Sequence, residues 1–165
     1  MSTSRQEADN WIIRIKTPYE ERQMARYPKF LMEHFQNPKN VGEISNPDGI
    51  GTVGNVSCGD IMQIFIKVNG NKISEVMFKT FGCGAAIATS SILTERIKGS
   101  TIDEALKISE RISKEILSEL PKEKIPCFTL ATNALKLAIE EYRCKQVEVH
   151  QKEEFDSLKK GVQKG

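Results

Sequence analysis

Three cysteines and an aspartate carry most of the chemistry this sequence offers: Cys58, Cys83 and Cys127, with Asp60 two residues beyond the first. Cys58-Gly59-Asp60 and Gly82-Cys83-Gly84 set glycine beside the thiol, leaving no side chain in the way of a metal, a sulfide or a partner. Cys83 and Cys127 each precede an expected helix, where unpaired N–H groups and the helix dipole favour a thiolate over a thiol. Thiolates are what metals and sulfur donors need. In an extended segment Cys58 and Asp60 point to the same side and can address one ion, which makes Asp60 a candidate fourth ligand.

Spacing by itself is weak support, because a lone cysteine is more often a small buried hydrophobe and no CxxC is present. Cys144 stands outside the group, since the helix between it and Cys127 would separate them by about 25 Å. His34, beside Phe35 on an expected helix, and His150, far along the chain, read as structural or solvated. A redox or nucleophilic thiol enzyme, which needs a paired CxxC or a histidine base, ranks last. A tetrahedral zinc site on the same three cysteines and Asp60 stays open.

The cysteines fall where one element gives way to another. Phe30, Leu31, His34 and Phe35 recur at helical spacing after Pro28, and Asn37-Pro38 stops that helix. The stretch through Gly42, Pro47, Gly49, Gly51 and Gly54 reads as loop and irregular strand. Met62, Ile64, Ile66 and Val68 then alternate with polar residues as one face of a strand, Asn69-Gly70 turns the chain, and a return strand runs to Phe81 with Val76 and Phe78 inward. After Cys83 the period becomes helical through Ala86, Leu93 and Ile97, with Gly99 as the stop. Thr101-Ile102-Asp103-Glu104 reads as the start of a short helix and Ile108, Ile112 and Ile116 as a further one. Ala131, Leu135, Ala138 and Tyr142 give a long amphipathic C-terminal helix.

Strands first and helices afterwards imply an α+β domain: a small antiparallel sheet of about three strands with helices on one face. The organisation expected is an N-terminal arm over 1–26 with an apolar patch at Trp11-Ile12-Ile13 and Ile15, a domain over 27–145, and a polar tail over 146–165. The 165 residues are 39% hydrophobic and 28% charged, a soluble composition with no apolar run long enough for a bilayer. Net charge is +2 with the signs interspersed, so neither a nucleic-acid footprint nor a membrane partner is indicated. The first 26 residues lack a secretory h-region and are too acidic for a transit peptide, which makes the cytoplasm the expected compartment.

Asn37-Pro38-Lys39-Asn40-Val41-Gly42, Cys58-Gly59-Asp60, Phe78 through Gly82-Cys83-Gly84 to Ala88, and Leu120-Pro121 through Lys124 to Cys127 occur in order. Together they resemble the IscU-type iron–sulfur scaffolds and the N-terminal domain of NifU, from about Tyr27 to Lys145. The resemblance implies a carrier, not an enzyme in the ordinary sense. It would take persulfide sulfur from a cysteine desulfurase and ferrous iron, build a [2Fe-2S] cluster and release it to apo-acceptor proteins, with an electron-donating ferredoxin as a further partner. Its cluster ligands map onto Cys58, Cys83 and Cys127, the lability-tuning aspartate onto Asp60, and the persulfide acceptor onto Cys127.

Two departures qualify the match. Pro126 stands where IscU-type scaffolds commonly carry histidine, and proline cannot bind metal, so Asp60 is the expected fourth ligand. Leu120-Pro121-Lys122-Glu123-Lys124 departs from Leu-Pro-Pro-Val-Lys, so the resemblance does not extend to recognition by a dedicated Hsp70-type chaperone. A zinc-binding sulfurtransferase like SufU is the alternative, although its insertion between the second and third cysteines has no room here. Oligomeric state stays open, a homo-oligomer included.

Overall fold

The computed structural model describes Pro18, Arg22, residues 25–55 and residues 59–162. The arm's apolar patch at Trp11-Ile12-Ile13 and Ile15, and also Cys58, lie outside the described residues. Pro28 opens α1 (Lys29–Gln36): its ring fixes a φ of −53°, compatible with a helix start, and its carbonyl receives the N–H of Leu31 at 3.0 Å. Leu31 and Phe35, one turn apart, form the buried face, and the helix ends ahead of Pro38.

The sheet has the order β1-β2-β3 and is antiparallel throughout. β2 (Asp60–Asn69) and β3 (Lys72–Phe81) are joined at Asn69-Gly70, where Gly70 takes a φ of +64°, the left-handed conformation this tight turn requires. Register pairs Ile64 with Phe78 and Ile66 with Val76, so the period-two pattern becomes one buried layer. Val68, beside a register shift between Lys67 and Val68, is half-buried and packs at the margin of the core.

β1 (Gly49–Asn55) corrects the expectation of loop and irregular strand for its stretch. The glycines that suggested a loop are there for packing. A Cβ on Gly51 would sit 1.8 Å from the carbonyl oxygen of Ala134, and one on Gly49 would sit 2.1 Å from that of Ala138. Glycine two apart on a strand and alanine four apart on a helix let the two backbones touch. The β1 edge is partly closed by the Glu141 carboxylate, which accepts the Ile50 N–H. The β3 edge is met by Phe78 N–H to Asn40 O and Ile73 N–H to Ser100 O, each 2.9 Å.

α2 (Gly84–Ile97) and α4 (Ile125–Val162) cover one face of the sheet, α1 and α3 (Ile102–Leu117) pack against them, and a 3₁₀ turn (Lys122–Lys124) leads into α4. This is the α+β layering the element order implies. The two helices expected between Thr101 and Ile116 are one, because Thr101 and Glu104 form a reciprocal capping box that starts α3 at Ile102. Residues 146–162, expected as a polar tail, continue α4 as helix. No helix among the described residues is long and apolar enough to cross a membrane.

Candidate metal centre

Asp60 begins β2, Cys83 is the N-cap of α2, and Cys127 lies in the first turn of α4. One end of the sheet brings them together: a carboxylate oxygen of Asp60 and the Sγ atoms of Cys83 and Cys127 all lie within 4.8 Å of one another. Bonds of about 2.3 Å from sulfur and about 2.0 Å from oxygen hold donors on a common ion no more than about 4.6 Å apart, so the three need at most a small closing-in to share one. Cys58 lies outside the described residues, in the connection between Asn55 and Asp60, which are paired across the β1–β2 hairpin. Gly59, beside it, takes a φ of +69°.

Asp60 is only 5% exposed, and its Oδ2 is buried without a hydrogen-bond partner. Folding leaves such an oxygen unpaired at a cost of about 1–3 kcal/mol, which a bound cation offsets. Gly82 makes the space, since a Cβ there would fall 3.0 Å from the Asp60 Cγ and 3.2 Å from its Oδ1. The sequence reading assigned this glycine to access around the thiol. Its steric job is to admit the carboxylate.

The two thiols are not equivalent. Cys83 is lowered from 9.0 to about 7, chiefly by a hydrogen bond from Cys127; burial opposes this, while the Ala86 N–H and the Lys124 ammonium assist. Cys127 is pushed well above the usual thiol range by the same shared proton, then by burial and by the charges of Cys83 and Asp60. The expectation that helix N-termini favour a thiolate at both positions is therefore corrected for Cys127. It lies inside the first turn and donates to a neighbouring thiolate. A metal that displaces this proton would gain the second thiolate.

A cavity of about 340 Å³ opens on the pair, lined by Asp60, Cys83, Cys127, Asn55, Glu123, Lys124 and Pro126. Burial pulls the Lys124 ammonium down, but the negative charge at Cys83, Cys127, Tyr27 and Asp60 more than offsets it and the net shift is upward. Burial raises the Tyr27 phenol, opposed by Lys124 and reinforced by both cysteines. Sequence reasoning gave Lys124 and Tyr27 no role in the site. The available signal was a lysine three residues before Cys127, on a turn that proline starts.

The remaining candidates stay apart. Cys144 is exposed farther along α4. His34 is a packing residue, its Nδ1 2.7 Å from Ser91 Oγ and its Nε2 3.4 Å from Glu95, and His150 is exposed beside Glu153.

The family model for the NifU-like N terminal domain matches residues 26–149. The chain belongs to this family, as an IscU-type member. It is 55% identical over 116 residues to the iron–sulfur cluster assembly scaffold protein IscU 1 of Archaeoglobus fulgidus, a match covering 70% of this chain and 76% of that one. It is 47% identical over 128 residues to the iron–sulfur cluster assembly enzyme IscU of Drosophila melanogaster, covering 74% and 82%. The fold is shared with the crystal structure of the N-terminal part of a nitrogen-fixing NifU-like protein from Brucella abortus, with a TM-score of 0.62, 20% identity, and coverage of 72% of this chain and 94% of that one.

Proposed function

We propose that this chain is a scaffold on which an iron–sulfur cluster is assembled and from which it is handed to apo-acceptor proteins. The observation that carries the reading is the unpartnered, buried Asp60 oxygen grouped with the Sγ atoms of Cys83 and Cys127. The IscU names of its relatives support it. Ferrous iron and sulfide are the substrates, a [2Fe-2S] cluster is the cargo, and Cys58, Cys83, Cys127 and Asp60 are the proposed ligands. Soft thiolates suit iron and sulfide, while one hard carboxylate in place of a fourth thiolate leaves the cargo easier to release. Pro126 offers no donor.

Sulfur is proposed to arrive as the persulfide of a cysteine desulfurase. Cys127 then attacks its outer sulfur, forming a new S–S bond as the desulfurase sulfur leaves and takes up the Cys127 proton. The persulfide sulfur must gain two electrons to become sulfide, which an electron-donating ferredoxin supplies. Beside the site Ile61 and Phe81 pair across the sheet and are 51% and 49% exposed, an apolar rim suited to a protein donor or acceptor.

Anaerobic incubation with iron, cysteine and a desulfurase is expected to give a brown protein with sulfide-to-iron charge-transfer absorption that decays as an apo-ferredoxin is filled. If Cys58→Ser, Cys83→Ser and Cys127→Ser each leave that absorption intact, the proposal fails. A zinc-binding sulfurtransferase-type acceptor is the second reading, because the same donors suit tetrahedral zinc. Stoichiometric zinc with persulfide turnover and no acid-labile sulfide would favour it.

A further inference from the structure

α4 carries two apolar faces that point in opposite directions. Ala131, Ala134, Leu135 and Ala138 are buried against the domain. Leu137, Val147, Phe155, Leu158 and Val162 are exposed, Phe155 at 56% and Leu158 at 64%. At 3.6 residues per turn these five, with Glu140, Cys144 and Gln151, fall within about 80° of arc on the side away from the buried face. Val149 is the exposed apolar residue of α4 that lies off this stripe.

We propose that this outer stripe is a self-association surface, on which the α4 helices of two copies of the chain pair in parallel. The charges beside the stripe select that occupant and that direction. Glu154 and Lys159 are five residues apart on opposite flanks of the stripe, so in a parallel pair the glutamate of each copy meets the lysine of the other. Both side chains are exposed. An antiparallel pair would instead set the column Lys145, Lys152 and Lys159 against itself. Gln151, polar in the middle of the stripe, fixes register by pairing with its counterpart. The residues of α4 that are buried against the domain lie on the other face of the helix. With few apolar side chains in the stripe, the dimer is weak and depends on concentration.

Sedimentation velocity of the full, metal-free, reduced chain over a concentration series tests the proposal, reduction excluding a Cys144 disulfide. A monomer–dimer equilibrium is expected, abolished in Leu158→Glu and in Phe155→Glu with helical circular dichroism unchanged. Glu154→Lys should raise the dissociation constant about tenfold, by losing two attractive pairs and gaining two repulsive ones, and Glu154→Lys with Lys159→Glu should restore it. A chain that is monomeric at every concentration, as when another protein or the N-terminal arm covers the stripe, overturns the proposal. So does a dimer indifferent to Phe155→Glu and Leu158→Glu.

Discussion

The two ends of β1 and β2 use glycine for opposite purposes. At the β1 end nearest α4, Gly49 and Gly51 let strand and helix backbones close completely, with no room for even one methyl group. At the cysteine end, Gly82 keeps a space that a carboxylate fills without a partner for its Oδ2. One end is close-packed and satisfied. The other keeps a buried carboxylate oxygen without a hydrogen-bond partner. The difference separates residues that maintain the fold from residues kept for a ligand, and substitutions at the two ends should part in the same way.

The largest effect on stability is expected from Gly51→Ala. Its Cβ would fall 1.8 Å from Ala134 O and 2.7 Å from Ala138 N, so β1 and α4 must separate; a loss of about 3 kcal/mol, or about 10 °C in Tm, should appear in thermal unfolding. Asp60→Ala should act in the reverse sense on the metal-free protein. Removing a buried carboxylate that has one unpartnered oxygen is expected to raise its stability by about 1 kcal/mol while shortening the lifetime of an assembled cluster. Loss of stability with unchanged cluster lifetime would place Asp60 with the packing residues and erase the contrast.

Gly82→Ala sharpens the comparison further, because its Cβ meets a side chain that can shift where Gly51 meets backbone. Metal-free stability should change little and the rate of cluster transfer should rise, measured with an apo-ferredoxin. In the metal-free protein, alkylation of Cys83 should be half-maximal near pH 7, and Cys127→Ala should move that midpoint upward by removing the hydrogen bond that lowers it. The smallest effect belongs to the packed end. Glu141 is held below the usual carboxylate range by the Ile50 N–H, with Lys145 assisting against burial, so its contribution is present above that range and lost as pH falls through its depressed value. Glu141→Gln should flatten the acid side of the stability profile by slightly lowering stability at neutral pH, where the contribution is present, and leaving it unchanged below the depressed value.

Much of this was legible in the residues. The β2–β3 hairpin followed from the alternation of Met62, Ile64 and Ile66 and from Asn69-Gly70, and the meeting of Asp60, Cys83 and Cys127 from their places at element boundaries together with the resemblance to the IscU-type scaffolds. β1 was legible only as loop and irregular strand, because Gly49 and Gly51 carry no side-chain pattern and their reason lies 83 or more residues away, in Ala134 and Ala138. The inequality of Cys83 and Cys127 was hidden for a related cause: each stands at a helix start, and only their proximity makes them share a proton. The outer stripe of α4 escaped because charged residues interrupt it in the linear sequence and only the continuous helix lines it up.

The central claim, that these donors hold an iron–sulfur cargo, is tested most directly by counting iron and acid-labile sulfide in protein rebuilt anaerobically, beside Cys83→Ser and Cys127→Ser. The account predicts iron and sulfide bound in equal amounts to the unmodified chain and lost in both variants. Stoichiometric zinc without sulfide, or iron and sulfide retained after either substitution, would contradict it.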